Sequence, residues 1–277
     1  MTLAGKTAVI TGSGRAGGLG AAIAWRLAHE GAHVVLSDLG HPRDAATPAA
    51  MIGDRSGLES LAASWRAQGL SVSTCVCDVR DYANVQALAA HAVAHGGGLD
   101  IWVNNAGIGY IMKPLLEVSP EDWQAVIDVN LTGAFYGLRV AAEIMAEQGR
   151  GGRIINIASQ AAKSGFPHAQ AYTASKHALV GLVRSAAIEL GPLGITVNNV
   201  CPNHVTTGLG AWQNTYFAKV TGHETVDTYL QAMAARIPLR RPGRVEDTAN
   251  AVAFLCSNEA SYITAESLNV SGGEEPH

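Results

Sequence analysis

The stretch KTAVITGSGRAGGLGAAIAWRLAHEGAHVVLSD, residues 6–38, decides the fold. It opens on a short apolar run, KTAVIT, turns through a set of glycines, and continues as a segment with Leu19, Ile23 and Leu27 at helical spacing. A second apolar run, HVVLSD, follows. The same alternation continues down the chain. SVSTCVCDV, LDIWVNNAG, GRIINIAS and ITVNNVCP read as further strands, which makes six. NVQALAAHAVAH, EDWQAVIDVNLTGAFYGLRVAAEIMAE and SKHALVGLVRSAAIELG read as helices between them.

Parallel strands need crossover connections, and repeated right-handed β-α-β units generate a sheet covered by helices on both faces. The expectation is therefore an α/β, doubly wound, Rossmann-type parallel sheet. With 277 residues, 48% of them apolar and 15% charged, the whole chain is expected to form one domain with a sizeable core. Two stretches break the alternation, residues 39–57 and a segment at about 203–235. The second is read as an irregular substrate-loop insertion beyond Pro202.

A net charge of −4 offers no broad basic surface, so neither nucleic acid nor an anionic membrane is an expected partner, and a small molecule fits better. No stretch reaches the roughly twenty apolar residues of a membrane helix, and no leader is evident, which makes the cytoplasm the expected location. Cys75, Cys77, Cys201 and Cys256 lack zinc or CxxC spacing and read as free thiols. Cys75 and Cys77 would face one side of a strand. The ten histidines form no HExxH-like cluster, so no metal is expected.

Glycines between a strand and a helix let backbone amides approach a pyrophosphate, whose charge the helix N-terminus favours. Gly12, Gly18 and Gly20, with Leu19, are the candidates. Asp38 ends the second strand, where a carboxylate accepts hydrogen bonds from ribose hydroxyls and disfavours a ribose phosphate. This points to NAD. Arg15 and Arg43 lie close by in sequence, and either could pair with such a phosphate, which keeps NADP open.

Ser159, Tyr172 and Lys176 form the most specific pattern, within SQAAKSGFPHAQAYTASK. Tyr172 and Lys176 stand at i and i+4 of one helix and so share a face. Bringing a phenol from a pKa near 10 to neutrality takes roughly 4 kcal/mol, which an ammonium about 4 Å away supplies at an effective dielectric near 20.

At these residues the chain resembles the short-chain dehydrogenase/reductase family over nearly its whole length. The glycine loop, NNAG at 104–107, VNLTG containing Asn130, the Ser159/Tyr172/Lys176 set and the final LNVSGG occur in the family's order. The resemblance implies a hydride-transferring enzyme in which Tyr172 is the acid/base, Ser159 holds the substrate oxygen and Lys176 also binds the nicotinamide ribose. Asn130 would hold a relay water. Asp78 and Val79 would hold the adenine, and Asn105, Ala106 and Gly107 would line the adenosine side. Pro202, Val205 and Thr207 would contact the nicotinamide end. A homotetramer is implied.

Three departures stand out: five residues rather than three separate Gly12 from Gly18, Asn203 replaces a glycine, and the stretch between Asp38 and Asp78 is long. For the substrate, a secondary alcohol, polyol or cyclic hydroxyl compound, the candidates are Ser159, Gln160, His168, Tyr172, His204 and Trp212. Ile108 and Tyr110 lie beside the same motifs, and Tyr216 and Phe217 accompany Trp212 either over the ligand or as packing. Two alternatives remain, an NADPH-dependent carbonyl reductase and a non-catalytic dinucleotide-binding regulator.

Overall fold

The computed structural model describes residues 2–42 and 52–275. Arg43 lies outside the described residues. Among them is a single seven-stranded sheet, parallel throughout, with order β3-β2-β1-β4-β5-β6-β7. Its strands are β1 (Thr7–Thr11), β2 (His33–Asp38), β3 (Val72–Val76), β4 (Ile101–Asn104), β5 (Gly152–Ile157), β6 (Ile195–Pro202) and β7 (Ser267–Val270). Six were expected. The seventh, SLNV, overlaps the start of LNVSGG; its four residues, half-buried or exposed, are too short to show periodicity.

Period-two alternation sorts the central strands between two cores. Ala8, Ile10, Val34 and Leu36 face α1 (Leu19–His29), α2 (Arg55–Arg66) and α9 (Val245–Cys256), meeting Ile23, Leu27, Trp65 and Val252. Val9, Val35 and Trp102 face α3 (Tyr82–Gly96), α5 (Gly133–Gln148) and α6 (Gln170–Leu190), meeting Leu88, Met145 and Val183. Cys75 and Cys77 pack on that second side together, and all four cysteines are free thiols. No helix among the described residues is long and apolar enough to cross a membrane.

The segment at about 203–235 is not irregular. It contains α7 (Gly208–Val220) and α8 (Val226–Arg236), following α4 (Pro120–Ile127) in the helix count. Thr207 and Thr225 cap them by accepting from the amides of Gly210 (3.3 Å) and Thr228 (3.1 Å). Polar residues interleaved with aromatics in α7 hide the apolar stripe that would have signalled a helix. The long stretch after β2 also closes on itself, since Gly40 donates to the Gly53 carbonyl and Arg55 to that of Gly40 (both 3.0 Å).

Three asparagines in register tie the centre of the sheet together: Asn104 pairs with Asn156, and Asn156 with Asn199. Asn104 donates to Asn156 Oδ1 (2.8 Å) and the Ala134 carbonyl (3.0 Å), and accepts from Trp102 Nε1 (2.7 Å). Asn156 donates to Asn199 Oδ1 (3.4 Å), and Asn199 Nδ2 in turn donates to Ser267 Oγ (3.0 Å). A side chain at Gly137 would stand 2.2 Å from Asn104 Oδ1, which is why α5 carries glycine there. Replacing Asn156 by leucine strands buried partners on both sides, a cost of about 1–3 kcal/mol. The urea midpoint of Asn156→Leu should fall accordingly at constant slope; an unchanged midpoint would show that the ladder contributes nothing.

Candidate active site

β1 has β2 on one side and β4 on the other, so the connections leaving their carboxyl ends diverge and open a crevice. Gly12 begins its lower wall with φ +66°, and a Cβ there would meet Ala106 Cα at 2.8 Å. A Cβ on Gly20 would lie 2.4 Å from the Gly12 carbonyl oxygen. Both positions therefore leave a cradle of bare backbone at the start of α1. Gly18 is the N-cap of α1, donates to Arg15 (3.0 Å) and does not line the crevice, whereas Leu19 does.

The widened loop makes contacts that its spacing does not reveal. Gly14 turns its amide onto Asp38 Oδ2 (2.9 Å), and a Cβ there would stand 2.8 Å from Asp38 Cβ. Leu39 donates to Asp38 Oδ1 (2.9 Å) and Gly53 packs against the same carboxylate. Burial pushes the Asp38 carboxyl above its ordinary range, while these amides and Arg15 pull it back.

Thr11 Oγ1 accepts from the amides of both Asn105 and Ala106 (3.0 Å each), and the Asn105 side chain donates to the carbonyls of Thr11 and Gly12 (2.9 Å each). Thus Asn105, Ala106 and Gly107 are fixed on the crevice wall. Asp78 and Val79 line it further out, with Asp78 bound bidentately by Arg80 (2.7 and 2.6 Å).

Adjacent strand β5 delivers Ser159, and α6 delivers Tyr172 and Lys176 to the same wall. Tyr172 shares a hydrogen bond with Ser159, which lowers a phenol pKa that burial raises more strongly. Lys176 is not the partner the spacing suggested. Its Nζ lies 5.6 Å from the Tyr172 ring centre and donates to the Ile157 carbonyl (2.7 Å). A buried ammonium takes the nearest strong acceptor, here the last residue of β5. Burial also pushes its pKa down to about 8.

Asn130 stands in a π-helical turn, Asp128–Thr132, between α4 and α5. It does not line the crevice; its amide accepts from Ile108 N (2.8 Å) and donates to Ile108 O (2.9 Å) and Ser175 Oγ (3.2 Å), pinning the wall from behind.

The family described as "Enoyl-(Acyl carrier protein) reductase" matches residues 12–275. L-2,3-butanediol dehydrogenase of Corynebacterium glutamicum is 36% identical over 97% of this chain and 98% of that protein. The chain belongs to the short-chain dehydrogenase/reductase family and is an oxidoreductase. Among solved members, NAD+-bound xylitol dehydrogenase superposes with a TM-score of 0.87 at 32% identity, covering 99% of this chain and 100% of that one. Actinorhodin polyketide ketoreductase with NADPH superposes equally, at 0.87 and 33% identity, covering 98% of both chains.

In this short-chain dehydrogenase/reductase the crevice is a cavity of about 1320 Å³. Ile108, Tyr110, Gln160, Pro202, His204, Val205, Thr207, Trp212 and Phe217 line it. Phe166, Gln213, Tyr229, Arg236 and Glu274 line it as well, with no signal in the sequence beyond their chemistry. His168 and Tyr216 do not line it. His168 has φ +67°, and its Nδ1 meets the Tyr216 hydroxyl at 2.9 Å, so it holds α7 in place and does not face a ligand. His168→Leu should raise KM about fivefold, the worth of one neutral hydrogen bond near 1 kcal/mol, with kcat nearly unchanged. A fall in kcat at constant KM would put the imidazole in the chemistry instead.

Proposed function

We propose that this enzyme moves a hydride between NAD and a carbon bearing a hydroxyl or carbonyl oxygen, with Tyr172 as general acid and base. One observation carries the reading: a single cavity joins the Gly12/Gly20 cradle and Asp38 to Ser159, Tyr172 and Lys176. The cradle, the α1 N-terminus and the buried carboxylate fit the pyrophosphate and ribose of a dinucleotide. Leu19, Asp78, Val79 and Asn105 to Gly107 would hold its adenosine half, and Lys176, Pro202, Val205 and Thr207 its nicotinamide half. A bound nicotinamide supplies or accepts the hydride.

The protein's own residues handle the proton. Ser159 and Tyr172 converge on the substrate oxygen. In reduction the Tyr172 phenol gives its proton to that oxygen, and burial keeps the proton available at neutral pH. Ser159 donates to the same oxygen as negative charge develops there. The Lys176 ammonium offsets the charge left on the phenol oxygen through space. In oxidation the phenolate takes the alcohol proton. The family resemblance adds a homotetramer to this reading.

Tyr172→Phe should lower kcat about 10²–10⁴-fold, the usual worth of a positioned acid/base, while NADH still binds by fluorescence. In the wild type, the ammonium is present below its shifted pKa and lost above it, so kcat/KM for ketone reduction should decline as pH rises through about 8. Wild-type turnover by the phenylalanine variant would refute the assignment.

NAD is favoured over NADP because a 2′-phosphate would face the Asp38 carboxylate where Gly14 and Gly53 leave no room to turn it away. Arg15, on the same wall, is the feature that supports the NADPH-dependent alternative. Asp38→Ala should shift the ratio of kcat/KM for NAD over NADP toward NADP by about tenfold or more, roughly 1.4 kcal/mol. A wild type that already prefers NADPH would reverse the cofactor assignment.

A further inference from the structure

One cluster on the cavity wall has no part in the proton chemistry. The Glu274 carboxylate accepts at Oε2 from Asn203 Nδ2 (2.5 Å) and His204 Nε2 (3.1 Å), and Arg236 Nε stands 3.5 Å from Oε1. All four residues line the cavity. They come from the end of β6, the end of α8 and the segment after β7, so three distant parts of the chain meet there. Asn203, the departure from the family's glycine, is what reaches the carboxylate.

The arrangement is costly to hold. The Glu274 side chain is only 15% exposed, and a carboxylate so placed needs its donors. His204 has φ +46°, a left-handed conformation uncommon outside glycine, and such strain gathers at ligand-binding positions. The cluster also sits beside the reacting end. β5 and β6 run in register, so Ala158 donates to the Val200 carbonyl (2.8 Å) and Ser159 lies alongside the approach to His204. Gln160, next to Ser159, donates to Glu275 Oε1 (2.7 Å).

Burial pushes the His204 pKa below its ordinary value, against the pull of Glu274. A neutral imidazole bonded to a carboxylate carries its proton on Nε2, which leaves Nδ1 an acceptor. No described residue bonds Nδ1. Arg236 balances the charge of Glu274, so this wall is polar but neutral, in a cavity that Phe166, Trp212 and Phe217 also line. A carboxylate substrate would meet Glu274 and an imidazole lone pair. A monoalcohol would desolvate that lone pair without replacing its hydrogen bond.

We propose that His204, oriented by Glu274, is a subsite for a second hydroxyl of the substrate, selecting neutral diols, polyols and hydroxyketones over monoalcohols and hydroxy acids. The inference rests on the hydride-transfer reading. His204 Nδ1 accepts from the second hydroxyl, while Glu274 and Asn203 are positioning residues.

The test is kcat/KM of the whole protein for 2,3-butanediol, sorbitol, 2-butanol and lactate, in the wild type, His204→Phe and Glu274→Leu. The wild type should prefer 2,3-butanediol to 2-butanol by about tenfold or more, and both variants should erase most of that ratio. Equal wild-type use of diol and monoalcohol would overturn the subsite while leaving hydride transfer intact, and needs no variant to fold. Variants that keep the wild-type ratio, or a wild type that prefers lactate, would overturn it too. Hydride transfer from none of the four, nor to their ketones, would sink both readings together.

Discussion

The junction between β1 and β4 is the constraint on which the rest of this molecule depends. Their connections diverge at the carboxyl edge of the sheet, so the last backbone groups lose the neighbours a ladder provides, and buried amides cannot be left unpaired. Thr11 answers for two of them with one hydroxyl, and the Asn105 amide answers for two carbonyls. The backbones can come that close only because Gly12 and Gly20 have no side chains. The same absence that lets the junction close leaves bare amides facing the crevice. Close packing of the junction and the bare-backbone cradle beside it therefore share one requirement.

Charges along that crevice follow a common pattern. Asp38, Lys176 and Glu274 are each removed from water to a large extent, and each is held by groups the fold has fixed beforehand. Asp38 takes the backbone amides of Gly14 and Leu39, Lys176 a strand carbonyl, Glu274 an asparagine and a histidine. Glu274 also pairs with the exposed Arg236, a contact whose worth is small and falls with salt. Asp38 ends β2, Lys176 reaches the end of β5 from α6, and Glu274 follows β7.

How far the sequence could be read depended on how local each signal was. The β-α alternation and the Ser159/Tyr172/Lys176 spacing are carried by neighbours along the chain, and the sheet and the shared face of α6 follow from them. Spacing places backbones, however, and does not choose partners: Lys176 bonds Ile157, and His168 turns to Tyr216. Gly14 looked like one loop glycine among several because its partner, Asp38, lies on another strand. The helices α7 and α8 were hidden by mixed polar and aromatic residues, and β7 by its length.

The two ends of the cavity differ in the same respect. The end that holds Tyr172, Lys176 and Ser159 is built by short-range geometry: one turn of α6 and the end of β5 bring the three together. The far wall is built by contacts between segments remote in sequence, with Asn203 and Glu274 seventy-one residues apart. A change in α8 or in the final residues alters that wall without disturbing the sheet, since α7 and α8 stand outside both main cores. A wall held by local structure and one held by long-range contacts can thus vary independently on the same sheet.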